Sequence, residues 1–92
     1  MDWGLRGLDL NVQTKGDRMS PLHVAAFMGD PLATSLLISK GAMVNLRESG
    51  GRTPIFVAAE RGFPNVVSLL LSAGANPNLS DDRLWTPLFI AA

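Results

Sequence analysis

The chain of 92 residues contains no cysteine, which excludes a disulfide framework and any metal site built on thiolates. It also lacks an excess of charge of either sign, because eight basic residues balance eight acidic ones. Nucleic-acid binding through phosphate contacts needs a basic face, so this balance argues against it. No apolar run approaches the ~18 residues of a membrane span, and the N-terminus lacks the pattern of a secretory signal. We therefore expect an intracellular protein, cytoplasmic or nuclear, with no membrane span and no nucleic-acid partner.

The sequence also has too few reactive side chains for recognisable catalysis. His23 is the single histidine, so neither a hydrolase triad nor a cluster of metal ligands can be assembled around it. The stretch 49–52, Ser-Gly-Gly-Arg, lacks the Lys-Ser/Thr pair of a phosphate-binding loop. Asp81 and Asp82 adjoin each other instead of facing across a cleft, and we expect them at a solvated loop tip. The sequence predicts no enzymatic activity, no cofactor and no metal.

What the chain does have is a period of 33 residues. Pro21 returns as Pro54 and Pro87, and the alanine pair 25–26 returns at 58–59 and 91–92. The same spacing relates further positions: Gly29 to Gly62, Leu36–Leu37 to Leu69–Leu70, Gly41–Ala42 to Gly74–Ala75, and Asn45 to Asn78. Self-similarity at this period indicates an array of stacked repeats.

Each repeat reads as a helix, a turn and a second helix. In the copy that starts at Thr53, the first helix spans 55–61, Gly62 ends it, and Pro64 begins the next helix. In the preceding copy, Asp30 is placed to cap the second helix. We expect its apolar stripe to be Leu32, Leu36 and Leu37. The paired alanines are small enough to let the helices of neighbouring repeats approach closely.

The segments SPLHVAA, TPIFVAA and TPLFIAA resemble the T-P-L-H-x-A signature of ankyrin repeats, and GAMVN and GANPN resemble the exit of that family's second helix. The resemblance covers residues 7–92 and implies an all-α repeat solenoid of helix-turn-helix units joined by β-hairpin-like loops. It implies that His23 is hydrogen-bonded to Ser20 and to neighbouring backbone, whereas Phe56 and Phe89 replace this histidine elsewhere. The turn glycine of the family falls on Gly51. Arg18 and Leu84 occupy the equivalent positions of the other two loops, where we expect strained or differently shaped turns.

The repeats divide a single domain, residues 1–92, into four parts: the end of a partial repeat and its loop (1–19), two repeats (20–52 and 53–85) and the start of another (86–92). Gly7 to Asn11 resembles a helix-two exit, and the loop that follows is one residue longer than the later loops. Because the last unit stops inside its first helix, we expect a solenoid truncated at the C-terminal end. Its apolar edge, Leu88 to Ile90, is then expected to promote self-association.

Function on such a scaffold depends on the variable positions. The resemblance implies that a protein partner contacts the loop tips and the exposed ends of the first helices: Asp17, Met19, Phe27, Met28, Ser49, Arg52, Glu60, Arg61, Asp82, Arg83 and Trp85. Trp85 and Phe27 are the foremost anchors. Alternatives stay open: Trp85 packed on a neighbouring loop, Phe27 and Met28 buried under a preceding repeat, and Glu60 and Arg61 merely solvated.

Two functions follow from these positions. The first is a non-catalytic protein-binding module that serves as an adaptor, a scaffold or the substrate-receptor part of a larger protein. The alternative is a purely structural set of internal repeats within a longer solenoid, with no direct partner.

Overall fold

A computed structural model describes residues 11–83, which form four short helices in two consecutive hairpins. They are α1 (Pro21–Met28), α2 (Pro31–Ser39), α3 (Pro54–Arg61) and α4 (Pro64–Ser72). Each of these helices begins with a proline, which has no backbone N–H. This costs nothing at the first helical position, because an N–H there would have no partner within the helix. The predicted Trp85 anchor, Leu84, Phe89 and the apolar edge at 88–90 lie outside the described residues.

The helix ends match the sequence prediction closely. The Ser20 and Thr53 hydroxyls cap α1 and α3 by accepting from the backbone N–H of His23 and Phe56, respectively. The Asp30 carboxylate caps α2, as predicted. Gly29 and Gly62 end α1 and α3 in the left-handed conformation, with φ of 68° and 77°.

The two hairpins stack so that α1 packs on α3 and α2 packs on α4. Ala26 of α1 and Ala58 of α3 belong to the buried cluster between the hairpins, and their small side chains allow the two helices to approach closely. The other buried members are Leu22, Ile55, Val57, Val66, Leu70 and Ala75.

The predicted apolar stripe of α2 is wrong in two of its three residues. Leu32 and Leu36 are 81% and 58% exposed, whereas Leu37 is half-buried against the core. Ile38, which was not predicted, packs against the core together with Leu37. A helix that is apolar almost all round offers several candidate faces, so its composition does not single out the buried one.

The loops between the hairpins are tight turns, and no strand forms within residues 11–83. In the loop 46–53, the Glu48 N–H donates to the Arg52 carbonyl over 3.0 Å, and Gly51 takes a φ of 79° at the turn. Arg18, at the matching place one repeat earlier, has a φ of 55°, which confirms the strained turn expected there.

Successive repeats are joined by a hydrogen bond at each end. At the loop tips, the Ser49 N–H donates to the Asp17 carbonyl and the Asp82 N–H to the Gly50 carbonyl, each over 2.9 Å. At the opposite end, the Asn45 side-chain oxygen accepts from the Asn76 N–H over 2.8 Å. These bonds fix the position of each loop relative to the next.

Candidate functional site

A groove of about 630 Å³ runs between the loop tips and the ends of α1 and α3. We call it the groove. Its lining residues come from the loops 12–19 and 46–52 and from the helices α1 and α3. Among residues 11–83 its lining comprises Asp17, Met19, Phe27, Glu48, Ser49, Arg52, Val57, Glu60 and Arg61.

A buried carboxylate organises the loop that closes the groove. Glu48 Oε1 accepts from the backbone N–H groups of Gly50 and Arg52 over 2.7 and 2.9 Å. Both Glu48 oxygens also accept from the Arg52 guanidinium, over 3.3 Å from Nε and 3.2 Å from Nη2. Burial alone raises the pKa of Glu48, but these hydrogen bonds and the positive charge of Arg52 outweigh it, so the pKa is lowered. The same bonds raise the pKa of Arg52.

The Glu48–Arg52 pair extends into a chain of charges across two loops and α3. Arg52 Nη1 donates to Glu60 Oε1 over 3.2 Å, and Glu60 Oε2 lies 3.7 Å from Arg83 Nη2. Arg83 Nε in turn donates to Asp81 Oδ2 over 2.8 Å. The expectation that Asp81 is solvated is therefore wrong, because its carboxylate is buried and paired with Arg83. Asp82 is exposed, as expected.

The apolar part of the groove centres on Phe27, which is 45% exposed. The Arg61 guanidinium lies over this ring, 4.0 Å from its centroid, and also 5.9 Å from the Phe63 centroid. Such a cation–π contact orients both side chains at the surface. Met19 is half-buried beside the groove, and the buried Val57 forms part of its lining.

The groove brings together seven of the predicted partner-binding residues: Asp17, Met19, Phe27, Ser49, Arg52, Glu60 and Arg61. Met28 is exposed at the end of α1 but does not line the groove. Arg83 is connected to the groove through Glu60, and Asp82 lies beside Gly51. Trp85 is outside the described residues, so its role stays a prediction.

Sequence reasoning missed two lining residues, Glu48 and Val57. Glu48 had a partial signal in the sequence, because an acidic residue, Asp81, recurs one repeat period later. In the structure both carboxylates accept N–H groups of their own loops. Val57 had none, since an apolar residue within a helix is expected in the core. A buried carboxylate that closes a turn and an exposed one at a loop tip look alike in sequence.

His23 lies fully buried behind the groove, where its ring links the start of α1 to the loop 46–52. Nε2 is 2.8 Å from the Arg52 carbonyl oxygen, which can only accept, so Nε2 carries the proton. Nδ1 is then the acceptor for the Ser20 N–H and hydroxyl, at 3.2 and 2.8 Å. The predicted hydrogen bond with Ser20 is confirmed, and the ring also holds the loop that carries Arg52. Within residues 11–83 no group of His, Asp or Glu side chains has the arrangement of a metal site.

Stability should fall in acid because His23 is buried in its neutral form. Burial lowers its pKa below the ordinary 6.5, against the opposing effects of the Arg52 carbonyl and the Glu48 charge. Unfolding frees the imidazole to bind a proton, so the free energy of unfolding should decrease as the pH falls below about 6.5. Urea unfolding at a series of pH values measures this loss.

His23→Phe is the matched control, because Phe56 occupies the equivalent buried site in the second repeat. This variant should lose the decline that begins near the ordinary histidine pKa. It should keep the later decline below about 4.5, where Glu48 becomes protonated on unfolding. Identical pH profiles for the two proteins would contradict the assignment to His23.

Two stacked helical hairpins of the same length, joined at a period of 33 residues by hydrogen-bonded turns, define a helical repeat solenoid. The sequence profile described as ankyrin repeats, three copies, matches residues 2–81. The chain therefore belongs to the ankyrin repeat family, whose members are generally non-catalytic protein–protein interaction modules. Among curated proteins, none has a sequence similar enough to match this chain. None of the helices within residues 11–83 has the length and apolar character needed to cross a lipid bilayer.

Proposed function

We propose that the groove binds a protein partner through a protruding segment of that partner. In this role the chain is a non-catalytic recognition module within an adaptor, a scaffold or a substrate receptor. The observation that carries the proposal is the convergence of a half-exposed aromatic ring, a methionine and both signs of charge in one concavity.

The rigidity of the groove supports this proposal. The loop tips are joined by backbone hydrogen bonds from Ser49 to Asp17 and from Asp82 to Gly50. The Arg52 guanidinium is held by both Glu48 and Glu60. Because these groups are ordered before binding, little conformational entropy is lost when a partner docks.

Phe27 and Arg61 have the character of binding anchors. Aromatic and arginine side chains are over-represented among the residues that dominate binding energy. The stacked guanidinium leaves Phe27 partly accessible, so an apolar side chain of the partner can cover the remaining ring surface.

The charges of the groove fall into two groups. Glu48, Arg52 and Glu60 are already paired with one another. Asp17 and Arg61 form no ion pair within residues 11–83 and remain available to a partner. The segment that fits best therefore carries an apolar side chain flanked by a basic and an acidic residue.

Selection of random peptides displayed on phage against the chain, followed by titration of the enriched peptides, tests the proposal. Phe27→Ala and Arg61→Ala should each weaken binding by about 30-fold or more, which corresponds to the ~2 kcal/mol of a dominant interface residue. Circular dichroism should remain helical, because both side chains lie outside the buried cluster.

Leu71→Ala is the matched control, since Leu71 is 46% exposed against 45% for Phe27 but lies on α4. It should bind the enriched peptides with unchanged affinity. If the groove variants and this control bind equally well, the groove is not the recognition site.

A further inference from the structure

Two arginines in successive loops are oriented in the same way. Glu48 and Asp81 lie one repeat period apart, and both side chains are buried. The Arg52 guanidinium donates to Glu48 through Nε and Nη2, over 3.3 and 3.2 Å. The Arg83 guanidinium donates to Asp81 through Nε, over 2.8 Å. A guanidinium carries five N–H groups, so neither arginine uses all of its donors on the carboxylate of its own loop.

Both guanidiniums converge on the carboxylate of Glu60 at the end of α3. Arg52 Nη1 donates to Glu60 Oε1 over 3.2 Å, whereas Arg83 Nη2 lies 3.7 Å from Glu60 Oε2, beyond an ordinary hydrogen bond. The side chains of Glu60, Arg52 and Arg83 are 34%, 36% and 58% exposed, so a ligand can reach all three. Ordered guanidiniums that face one point are suited to binding a carboxylate.

The Glu60 carboxylate can be exchanged without disturbing either loop. An ion pair in contact with solvent contributes little to stability, because water screens it. Arg52 would keep its orientation, since its bonds to Glu48 use Nε and Nη2 and not Nη1. Glu48 and Asp81 are not exchangeable in this way, because their oxygens also accept backbone N–H groups of their loops.

We propose that Arg52 and Arg83 form an anion site for an aspartate or glutamate side chain of the partner, and that this side chain displaces Glu60. The inference rests on the function proposed above and adds a second acidic position to the bound segment, besides the one that pairs with Arg61. Glu60 acts as an internal competitor and thereby sets selectivity. A carboxylate on a segment already seated in the groove has a high effective concentration, whereas a free carboxylate in solution does not.

Parallel phage selections on the unmodified chain and on Glu60→Gln test this inference. Glutamine keeps the size of the side chain but removes its charge, so a partner carboxylate no longer has to displace an anion. Acidic peptides whose binding is weakened by Phe27→Ala should bind Glu60→Gln about fivefold more tightly than the unmodified chain, which corresponds to ~1 kcal/mol. Once the responsible acidic residue of the peptide is replaced by its amide, the two proteins should bind it equally. Equal affinities for every acidic peptide would overturn the inference.

Two further variants separate a local site from a general effect of charge. Arg83→Gln should weaken the binding of the acidic peptides and, combined with Glu60→Gln, should abolish the fivefold gain. Asp30→Asn removes one negative charge at an exposed position outside the groove and keeps a side chain that caps α2 well. It should leave peptide affinity unchanged. A gain in Asp30→Asn equal to that in Glu60→Gln would assign the effect to net charge and overturn the anion site.

The outcomes also distinguish this inference from the function on which it rests. If the selected peptides depend on Phe27 but are insensitive to Glu60→Gln and Arg83→Gln, the groove binds a partner and the anion site alone is wrong. If no selected peptide depends on Phe27, both proposals are wrong.

Discussion

Leu70→Ala should lower the free energy of unfolding by about 2–5 kcal/mol, the range for cavities made by shortening a buried leucine. Leu70 is buried in the cluster between the two hairpins, where α4 packs on α2. A domain of this size has only about 5–15 kcal/mol of total stability or less, so the variant should be close to unfolding. Urea unfolding followed by circular dichroism measures the change.

Leu71→Ala makes the same chemical change one residue later on α4. Because Leu71 is roughly half exposed, its truncation should change stability by no more than about 0.5 kcal/mol. The difference between these two variants isolates the contribution of burial from that of helix propensity. Losses of similar size would show that the hairpins do not pack through Leu70.

Gly29→Ala should be nearly as damaging, for two separate reasons. Gly29 has a φ of 68°, and an L-residue in this left-handed conformation costs about 1–2 kcal/mol. A methyl group there would also lie 2.6 Å from the Phe63 ring, so the ring must shift, at an overpacking cost of about 1–3 kcal/mol. The combined loss, about 2–5 kcal/mol, is measurable by thermal or urea unfolding.

Gly62→Ala separates the two costs. Gly62 ends α3 as Gly29 ends α1, with a φ of 77°, but within residues 11–83 no atom apart from those of its immediate neighbours in the chain lies within 4 Å of an added methyl group. It should therefore lose only the backbone part, about 1–2 kcal/mol. Equal losses in the two alanine variants would mean that Phe63 does not pack on Gly29.

The local elements of the fold follow from sequence because their determinants are neighbours in the chain. Proline at the first helical position, the Ser20, Asp30 and Thr53 caps and the Gly29 and Gly62 stops each act within a few residues. The period of 33 residues then implies stacking, since a single hairpin cannot bury its own apolar face.

The details that sequence reasoning missed depend on contacts between repeats. Leu32 and Leu36 satisfy the helical apolar pattern as well as Leu37 does, and only the crossing of α2 with α4 determines which of them is buried. Asp81 is buried, whereas the adjacent Asp82 is exposed and its N–H bonds to the Gly50 carbonyl of the preceding loop. Neither choice is encoded in the spacing of the residues themselves.

The candidate site was predicted in outline from the family resemblance. The resemblance places the loop tips and helix ends on one surface, and seven of the proposed positions do line one groove. It does not reveal that Arg52 is shared by Glu48 and Glu60, because this pairing depends on the approach of the loop to the end of α3.

The double role of Arg52 limits how the specificity of this protein can be changed. Its guanidinium faces the groove, and its ion pair with the buried Glu48 supports the loop beneath it. Any replacement chosen to attract a new ligand at that position would also disturb this support. A loss of binding could then result either from the changed contact or from a destabilised fold. Libraries intended to retarget the scaffold should therefore vary Asp17, Phe27 and Ser49 and leave Arg52 constant.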